Sequence, residues 1–186
     1  MTGFAADRAS EPRLTDFAAL FGPAERFRPA APASWQEVEA WVGAELPADY
    51  KALVDGYGDA VLLGHLFLPH PQGGDPLLTF MQEERDHFHH AYDDHRDSLA
   101  LAPVWDRLVP WAYHDWNGDV CLLVPPIDGE GEWSVAVAFR QCPRIDVLKG
   151  GVGDFITAVL AGGKGLPAGW PGGLRRWQSA EGSPLI

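Results

Sequence analysis

The stretch PWAYHDWNGDVCLLV, residues 110–124, constrains the fold of this chain more than any other. It joins two apolar runs through Asn117-Gly118, and this dipeptide is the strongest short-range signal for a β-hairpin. The reason is steric, since a type I′ turn needs positive φ at both central residues. We therefore expect two antiparallel strands around this turn. The residues expected to pair across it are Tyr113 or Trp116 with Asp119 or Val120.

The polar residues of the same stretch raise the alternative of a calcium loop. Asp115, Asn117 and Asp119 occupy the first, third and fifth positions of an EF-hand pattern. That pattern also requires glycine at the sixth position and an acid at the twelfth, which here are Val120 and Pro126. The flanks are strand-like and not helical. The pattern favours a turn over a metal site.

Several segments have the apolar spacing and end signals of helices. SWQEVEAWVGAE starts at Ser34, which with Glu37 has the S-x-x-E spacing of a capping box. LPADYKALVDGYGD follows, with Pro47 suited to its first turn. Residues 77–101 are polar with helical character. The other predicted helices are TDFAALFG (15–22), with a Thr or Asp cap, and GDFITAVLAGG, capped by Asp154.

Apolar runs between these helices predict further strands. AVLLGHLFLPHP (60–71) is strand-like, and EWSVAVAFR alternates Trp133, Val135, Val137 and Phe139 with small residues, which is typical of a half-buried strand. The segment DVLKGG predicts one more short strand. The order predicts an α+β fold, with a mainly antiparallel sheet flanked by N-terminal helices and closed by a C-terminal helix.

The 186 residues fit one domain of ordinary size. We expect an N-terminal arm and short helix over 1–33, the domain itself over 34–163, and a Pro/Gly-rich tail over 164–186. Trp170 or Trp177 in that tail is either exposed as an interface residue or packed onto the domain. The oligomeric state is left open.

The net charge of the chain limits the classes of partner that it can bind. The chain has 26 acidic and 14 basic residues, a formal net charge of −12. Such a surface repels nucleic acid and anionic membranes and suits a basic partner, although solubility alone also explains it. No apolar run approaches the length that spans a bilayer. With no signal-peptide pattern and no paired spacing of Cys121 and Cys142, we expect a cytoplasmic protein with reduced thiols.

Four patterns occur in a fixed order over about 34–162: LPADYKALVDGYGDAVL, VPWAYHDWNGDVCLLV, EWSVAVAF and GVGDFITAVLAG. They match, in turn, an L-P-x-x-Y helix with a glycine turn, a strand–D-x-N-G-D–strand hairpin, an acid-Trp before a Val-rich strand, and a closing Phe-Leu-type helix. Together they resemble the SUKH superfamily, bacterial immunity proteins related to a fungal regulator of cell-wall synthesis. One departure is CLL after Gly-Asp, where an aromatic residue is common.

The resemblance implies a non-enzymatic protein that binds a toxin domain, often a nuclease, and blocks it. Toxin nucleases are commonly basic, so an acidic antidote suits them. We expect an acidic surface that includes Asp59, Asp115 and Asp119, together with Trp116, to dock on the toxin and occlude its active site. A regulatory interaction module of the same fold is the alternative in the binding class. Neither reading requires a cofactor.

A metal-dependent enzyme is the alternative from another class. In EERDHFHHAYDDH (83–95), Glu83, His87, His90 and Asp94 fall on one stripe of a helix and include zinc-ligand types. Four residues along one straight helix span too far to converge on a single ion, which favours a solvated helix face. We expect His65 and His70 to be core residues with satisfied hydrogen bonds. No nucleophile motif is present, so no catalytic residue is assigned.

Overall fold

Within the described residues, 14–24, 28–173 and 177–180, the computed structural model has seven strands and a set of helices. The helices are α1 (Leu14–Phe21), α2 (Pro32–Val42), α3 (Ala48–Tyr57), α4 (Leu77–Tyr92) and α5 (Val152–Ala161). Short 3₁₀ segments cover Asp93–Ser98, Ala102–Arg107 and Gly163–Gly165. The strands are β1 (Ala60–Leu62), β2 (Leu66–Leu68), β3 (Val109–His114), β4 (Val120–Val124), β5 (Ser134–Ala138), β6 (Ile145–Leu148) and β7 (Trp177–Ser179).

The strands form one antiparallel sheet in the order β6-β5-β4-β3-β2-β1-β7. Most neighbours in the sheet are also neighbours in sequence, joined by loops or, between β2 and β3, by residues 69–108, which include α4. The exception is β7, which returns from the C-terminal part of the chain to pair with β1. The predicted α+β class with a mainly antiparallel sheet is confirmed.

Both faces of the central strands are buried. One face of β4 and β5, with Cys121 and Val137, belongs to the core formed with α2, α3 and α5. The other face, with Leu122 and Ala136, packs against the end of α4 and the second 3₁₀ segment, including Trp105. The prediction that EWSVAVAFR is a half-buried strand is therefore wrong. Its alanines look like an open face in sequence, but aromatic side chains of α4 and the 3₁₀ segment cover them.

Three helix starts differ from the sequence predictions. Helix α1 begins at Leu14, so the predicted Thr15 or Asp16 cap lies inside the helix. Helix α2 begins at Pro32, with no side-chain cap, so Ser34 lies inside the helix and not at its cap. Proline fits the first helical position because its missing N–H would have no partner there. Asp154 is the third residue of α5 and accepts a hydrogen bond from the Gly151 N–H at 3.1 Å, where we predicted it as the cap itself.

The hairpin at 110–124 is confirmed, but its turn is wider than predicted. Tyr113 pairs with Val120, as expected. The loop has four residues, 115–118, closed by a hydrogen bond from the His114 N–H to the Asp119 carbonyl. Gly118 has φ of +75°, whereas Asn117 has no positive φ and instead accepts the Asp119 N–H with its side chain at 2.9 Å. This four-residue loop places Trp116 at the tip of the hairpin.

Residues outside the predicted 34–163 domain contribute to the same core and sheet. Phe17 and Ala30 are buried in the first core, and so is Trp170. Strand β7 extends the sheet beyond β1, and the Trp177 indole donates to the Tyr57 carbonyl at 3.0 Å. Residues 1–13 of the predicted arm and 181–186 of the predicted tail lie outside the described residues.

The start of α5 predicts the effect of one substitution. The Asp49 carboxylate, on α3, accepts the N–H of Val152 at 2.9 Å and lies 3.4 Å from that of Gly153, so it satisfies donors that the helix itself leaves free. We expect Asp49→Ala to lower the free energy of unfolding by about 1–2 kcal/mol. Urea unfolding would measure this. Asp86→Ala, at an exposed position of α4, is the control; equal losses in the two variants would contradict the capping role.

Candidate functional site

Three turns meet at one end of the sheet, which we call the hairpin end: residues 63–65, 115–118 and 139–144. They meet because Leu66 pairs with both Leu62 and His114, while Val120 pairs with Ala138. The turn at 63–65 has positive φ at both Leu63 (59°) and Gly64 (81°). Positive φ at a bulky residue costs on the order of 1 kcal/mol, and such strain is concentrated at functional sites.

Trp116 projects from the hairpin end and is 66% exposed, the most exposed large apolar side chain in the described part of the chain. Its backbone is fixed on both sides. The Asp115 N–H donates to the His65 carbonyl at 2.7 Å, and the Trp116 N–H donates to His114 Nδ1 at 3.3 Å. The indole meets the His65 ring at a tilt and the His114 ring edge-on, with centroids 5.7 and 5.6 Å away. Most of its surface is exposed.

Two buried imidazoles support this tryptophan. The His65 and His114 rings are stacked with centroids 4.4 Å apart, and each residue is 1% exposed. The buried Trp170 ring meets both edge-on, at 5.5 and 4.7 Å. Neither Nε2 atom has a hydrogen-bond partner among the described residues. His70, by contrast, is satisfied as predicted, by the Arg28 carbonyl and the Gln72 N–H.

Burial keeps both stacked imidazoles neutral. Loss of hydration lowers the pKa of His65, partly offset by a hydrogen bond to the Leu63 backbone. Burial, together with the neighbouring His65, lowers the pKa of His114 to about 4, although the Asp119 carboxylate acts in the opposite direction. The hairpin end therefore contains a neutral aromatic cluster at neutral pH.

Asp119, predicted to contact a partner, is buried beneath the hairpin. It is 4% exposed, and both of its carboxylate oxygens accept hydrogen bonds. Oδ1 accepts the Arg140 N–H at 3.0 Å, and Oδ2 accepts the Trp170 indole N–H at 2.8 Å. This carboxylate joins β4 to the turn after β5 and to the C-terminal segment, so it cannot form part of an exposed acidic surface.

Asp59 lies at the opposite end of the sheet from Trp116. It precedes Ala60, which pairs with Leu68, whereas the hairpin end begins beyond Leu62. The Asp59 carboxylate accepts the Gly74 N–H at 3.2 Å, and its carbonyl accepts the N–H of Ala180. Of the four predicted contact residues, only Asp115 and Trp116 share the accessible surface at the hairpin end.

Tyr92 of α4 is bonded to the turn at 139–144. The Tyr92 hydroxyl donates to the Phe139 carbonyl and, at 3.2 Å, to that of Cys142. These bonds hold the start of the first 3₁₀ segment, which carries the exposed Asp94, against this turn. The turn itself carries basic side chains, Arg140 over Gly118 and Arg144 paired with Asp146 at 2.7 Å.

The His-rich stripe does not form a metal centre. Helix α4 ends at Tyr92, so Asp94 lies in the 3₁₀ segment, and Glu83, His87 and His90 are exposed along α4. Among the residues that the structure describes, no group of three or more His, Cys, Asp or Glu side chains is placed to hold a metal ion. His87 instead lies 3.4 Å from Glu84 on the same helix.

His114 and Trp170 are the site residues that sequence reasoning missed. The sequence pattern predicts only that His114 belongs to a strand, and it does not decide the role of Trp170. The signal for His114 was its pairing with Leu66, which places it beside His65, but this needs the register of β2 on β3. Nothing in the sequence connects Trp170 to Asp119, 51 residues away.

No helix in the described ranges combines the length and the apolar character needed to cross a membrane.

The two hairpin aspartates should respond differently to truncation. Asp119→Ala leaves the buried Trp170 indole N–H and the part-buried Arg140 N–H without an acceptor, so we expect a loss of about 1–3 kcal/mol in the free energy of unfolding. Asp115→Ala, the matched control on the partly exposed turn, should cost under about 0.5 kcal/mol. Urea unfolding measures both. Similar losses would show that the Asp119 carboxylate is not the structural contact described here.

The buried imidazoles also predict how stability depends on pH. Burial lowers the pKa of His65, His70 and His114 below the ordinary 6.5. As pH falls from about 7 to 5.5, the unfolded chain binds protons that the folded chain does not, so the free energy of unfolding decreases. The limiting slope is about 1.4 kcal/mol per pH unit for each imidazole. Urea unfolding of His114→Asn should give a shallower slope than wild type; parallel slopes would contradict this.

Comparison with known proteins gives no match to this chain. No family model matches it, and no curated protein or solved structure does so either.

Proposed function

We propose that this chain is a non-enzymatic protein-binding domain that acts in the bacterial cytoplasm as an immunity protein, binding and neutralising a toxin domain. The observation that carries this proposal is Trp116, 66% exposed on a turn whose backbone is fixed by His65 and His114. Tryptophan is enriched among the residues that dominate binding energy at interfaces. A pre-positioned side chain also loses little conformational entropy when it binds.

The charge of the whole chain supports a basic partner more than the charges next to Trp116 do. Asp115 is partly exposed at the hairpin end, but the basic Arg140 side chain lies over Gly118 of the same turn. The net charge of −12 instead acts over longer distances, which speeds association with a cationic surface. We therefore assign affinity mainly to Trp116 and steering to the acidic surface as a whole.

The toxin assignment depends on the resemblance to SUKH immunity proteins over about 34–162. The four landmarks include the hairpin that carries Trp116, so the resemblance and the exposed anchor coincide at one place. A regulatory interaction module of the same fold would use the same surface. Cell protection separates the two: an immunity protein rescues cells that express the toxin, and a regulatory module does not.

We expect this chain to capture the product of the neighbouring gene in a pull-down at low salt, and less of it at high salt. Trp116→Ala should weaken capture by about 30-fold, the loss that corresponds to a hot spot of about 2 kcal/mol. Ile127→Ala is the matched control, since Ile127 is 53% exposed on the loop at the other end of β4. Equal capture by wild type and Trp116→Ala would contradict docking through the hairpin end.

A further inference from the structure

We propose that His114 positions Trp116 for docking, and that protonation of the stacked His65–His114 pair releases Trp116, so that binding through the hairpin end is lost in acid. The docking part of this inference rests on the proposed function. The release of Trp116 concerns the free protein and stands on the geometry alone.

The first step is the hydrogen bond between Trp116 and His114. The Trp116 backbone N–H donates to His114 Nδ1 at 3.3 Å. A main-chain amide is only a donor, so Nδ1 must present its lone pair and the neutral ring must carry its proton on Nε2. A second proton can bind only at Nδ1, where its N–H would face the Trp116 N–H. Protonation of His114 therefore breaks the contact that holds Trp116.

The second step is that the one charged group that faces the pair among the described residues, the Asp119 carboxylate, is already engaged in hydrogen bonds. The groups facing the pair are the Leu63 backbone, the Trp116 and Trp170 rings, and the Asp119 carboxylate from β4. Asp119 is the charged one among them, and it already accepts hydrogen bonds from Arg140 and Trp170. A single proton on either ring also repels a second one across 4.4 Å.

The third step is the direction in which the cluster opens. Trp170 is 4% exposed and packs on Phe155 with centroids 5.9 Å apart, so it is held by the core. Trp116, at 66% exposed, is the most exposed of the side chains that meet the pair. Hydration of a charged imidazole therefore requires Trp116 to move. Because burial lowers the pKa of both rings, and that of His114 to about 4, this occurs below the ordinary imidazole range.

The test is an NMR pH titration of the free, full-length ¹⁵N-labelled protein between pH 7.5 and 4. We expect the Trp116 backbone amide to shift as the His114 ring titrates, and its exchange protection factor, which is corrected for the slower intrinsic exchange in acid, to fall about tenfold, while the Trp111 indole in the core stays unchanged. A Trp116 amide that is unaffected until the whole protein unfolds would overturn the proposal.

His114→Asn is the decisive variant, because its side-chain oxygen can accept the Trp116 N–H but binds no proton in this range. Its Trp116 amide should be independent of pH. His70→Asn, at a buried histidine away from the hairpin end, should titrate like wild type at Trp116. If His114→Asn titrates like wild type, His114 is not the switch. Should it fail to fold, the order of events in wild type, with Trp116 changing before Trp111, still decides the matter.

Capture of the neighbouring gene product adds the functional readout. We expect wild-type capture to weaken about twofold between pH 7 and 4, because about half of the His114 rings are protonated at pH 4 and the apparent affinity falls in proportion to the docking-competent form, and His114→Asn capture to change less. If no partner is captured at pH 7 but Trp116 is released on titration, the proposed function fails and the release stands. If capture occurs but Trp116 does not titrate, the proposed function stands and the proposed release of Trp116 fails.

Discussion

The hairpin end depends on the buried carboxylate of Asp119. It accepts one hydrogen bond from the Arg140 main chain and one from the Trp170 indole, and so joins the start of β4, the turn after β5 and a segment 51 residues later. A buried charge is stable only where it is paired or hydrogen-bonded, and here both oxygens are occupied. Because the hydrogen bond to Asp119 fixes Trp170, its ring makes an edge-on contact with each of the stacked His65 and His114 rings.

The Trp170 ring belongs to a series of aromatic rings that extends into the core. Each ring of this series contacts the next edge-on, at a centroid distance of about 5–6 Å. The exposed indole at the tip is therefore backed by rings that reach the first helices. A surface tryptophan on a mobile loop would have to be ordered on binding, whereas this one is ordered already. The rings in this series are Trp35, Tyr50, Trp111, Phe155, Trp170, His114 and Trp116.

Local sequence signals predicted the elements but not the environment of their side chains. Asn117-Gly118 located a hairpin correctly, because turn chemistry acts within a few residues. The width of its turn was wrong, since the Asn117 side chain bonds to Asp119 and the positive φ pair lies at Leu63-Gly64 instead. The interpretation of Asp119 as a surface acid failed because its indole partner is distant in sequence.

The same dependence on contacts far apart in sequence explains why the predictions for Asp59 and β5 were wrong. Asp59 could be placed opposite Trp116 only with the direction and register of β1, which its three residues do not encode locally. The alanines of β5 resemble an open face until α4 and the second 3₁₀ segment are known to cover it. The class and order of the elements were thus readable, whereas burial and the grouping of side chains depended on contacts far apart in sequence.

Strand β7 has a consequence for synthesis of the chain. It pairs with β1, and its Trp177 indole donates to Tyr57, 120 residues earlier. On the ribosome the outer edge of β1 therefore lacks its partner strand until β7 has left the exit tunnel. Unpaired edges invite association between chains. A nascent chain of this kind would gain from a chaperone that covers that edge until β7 has emerged.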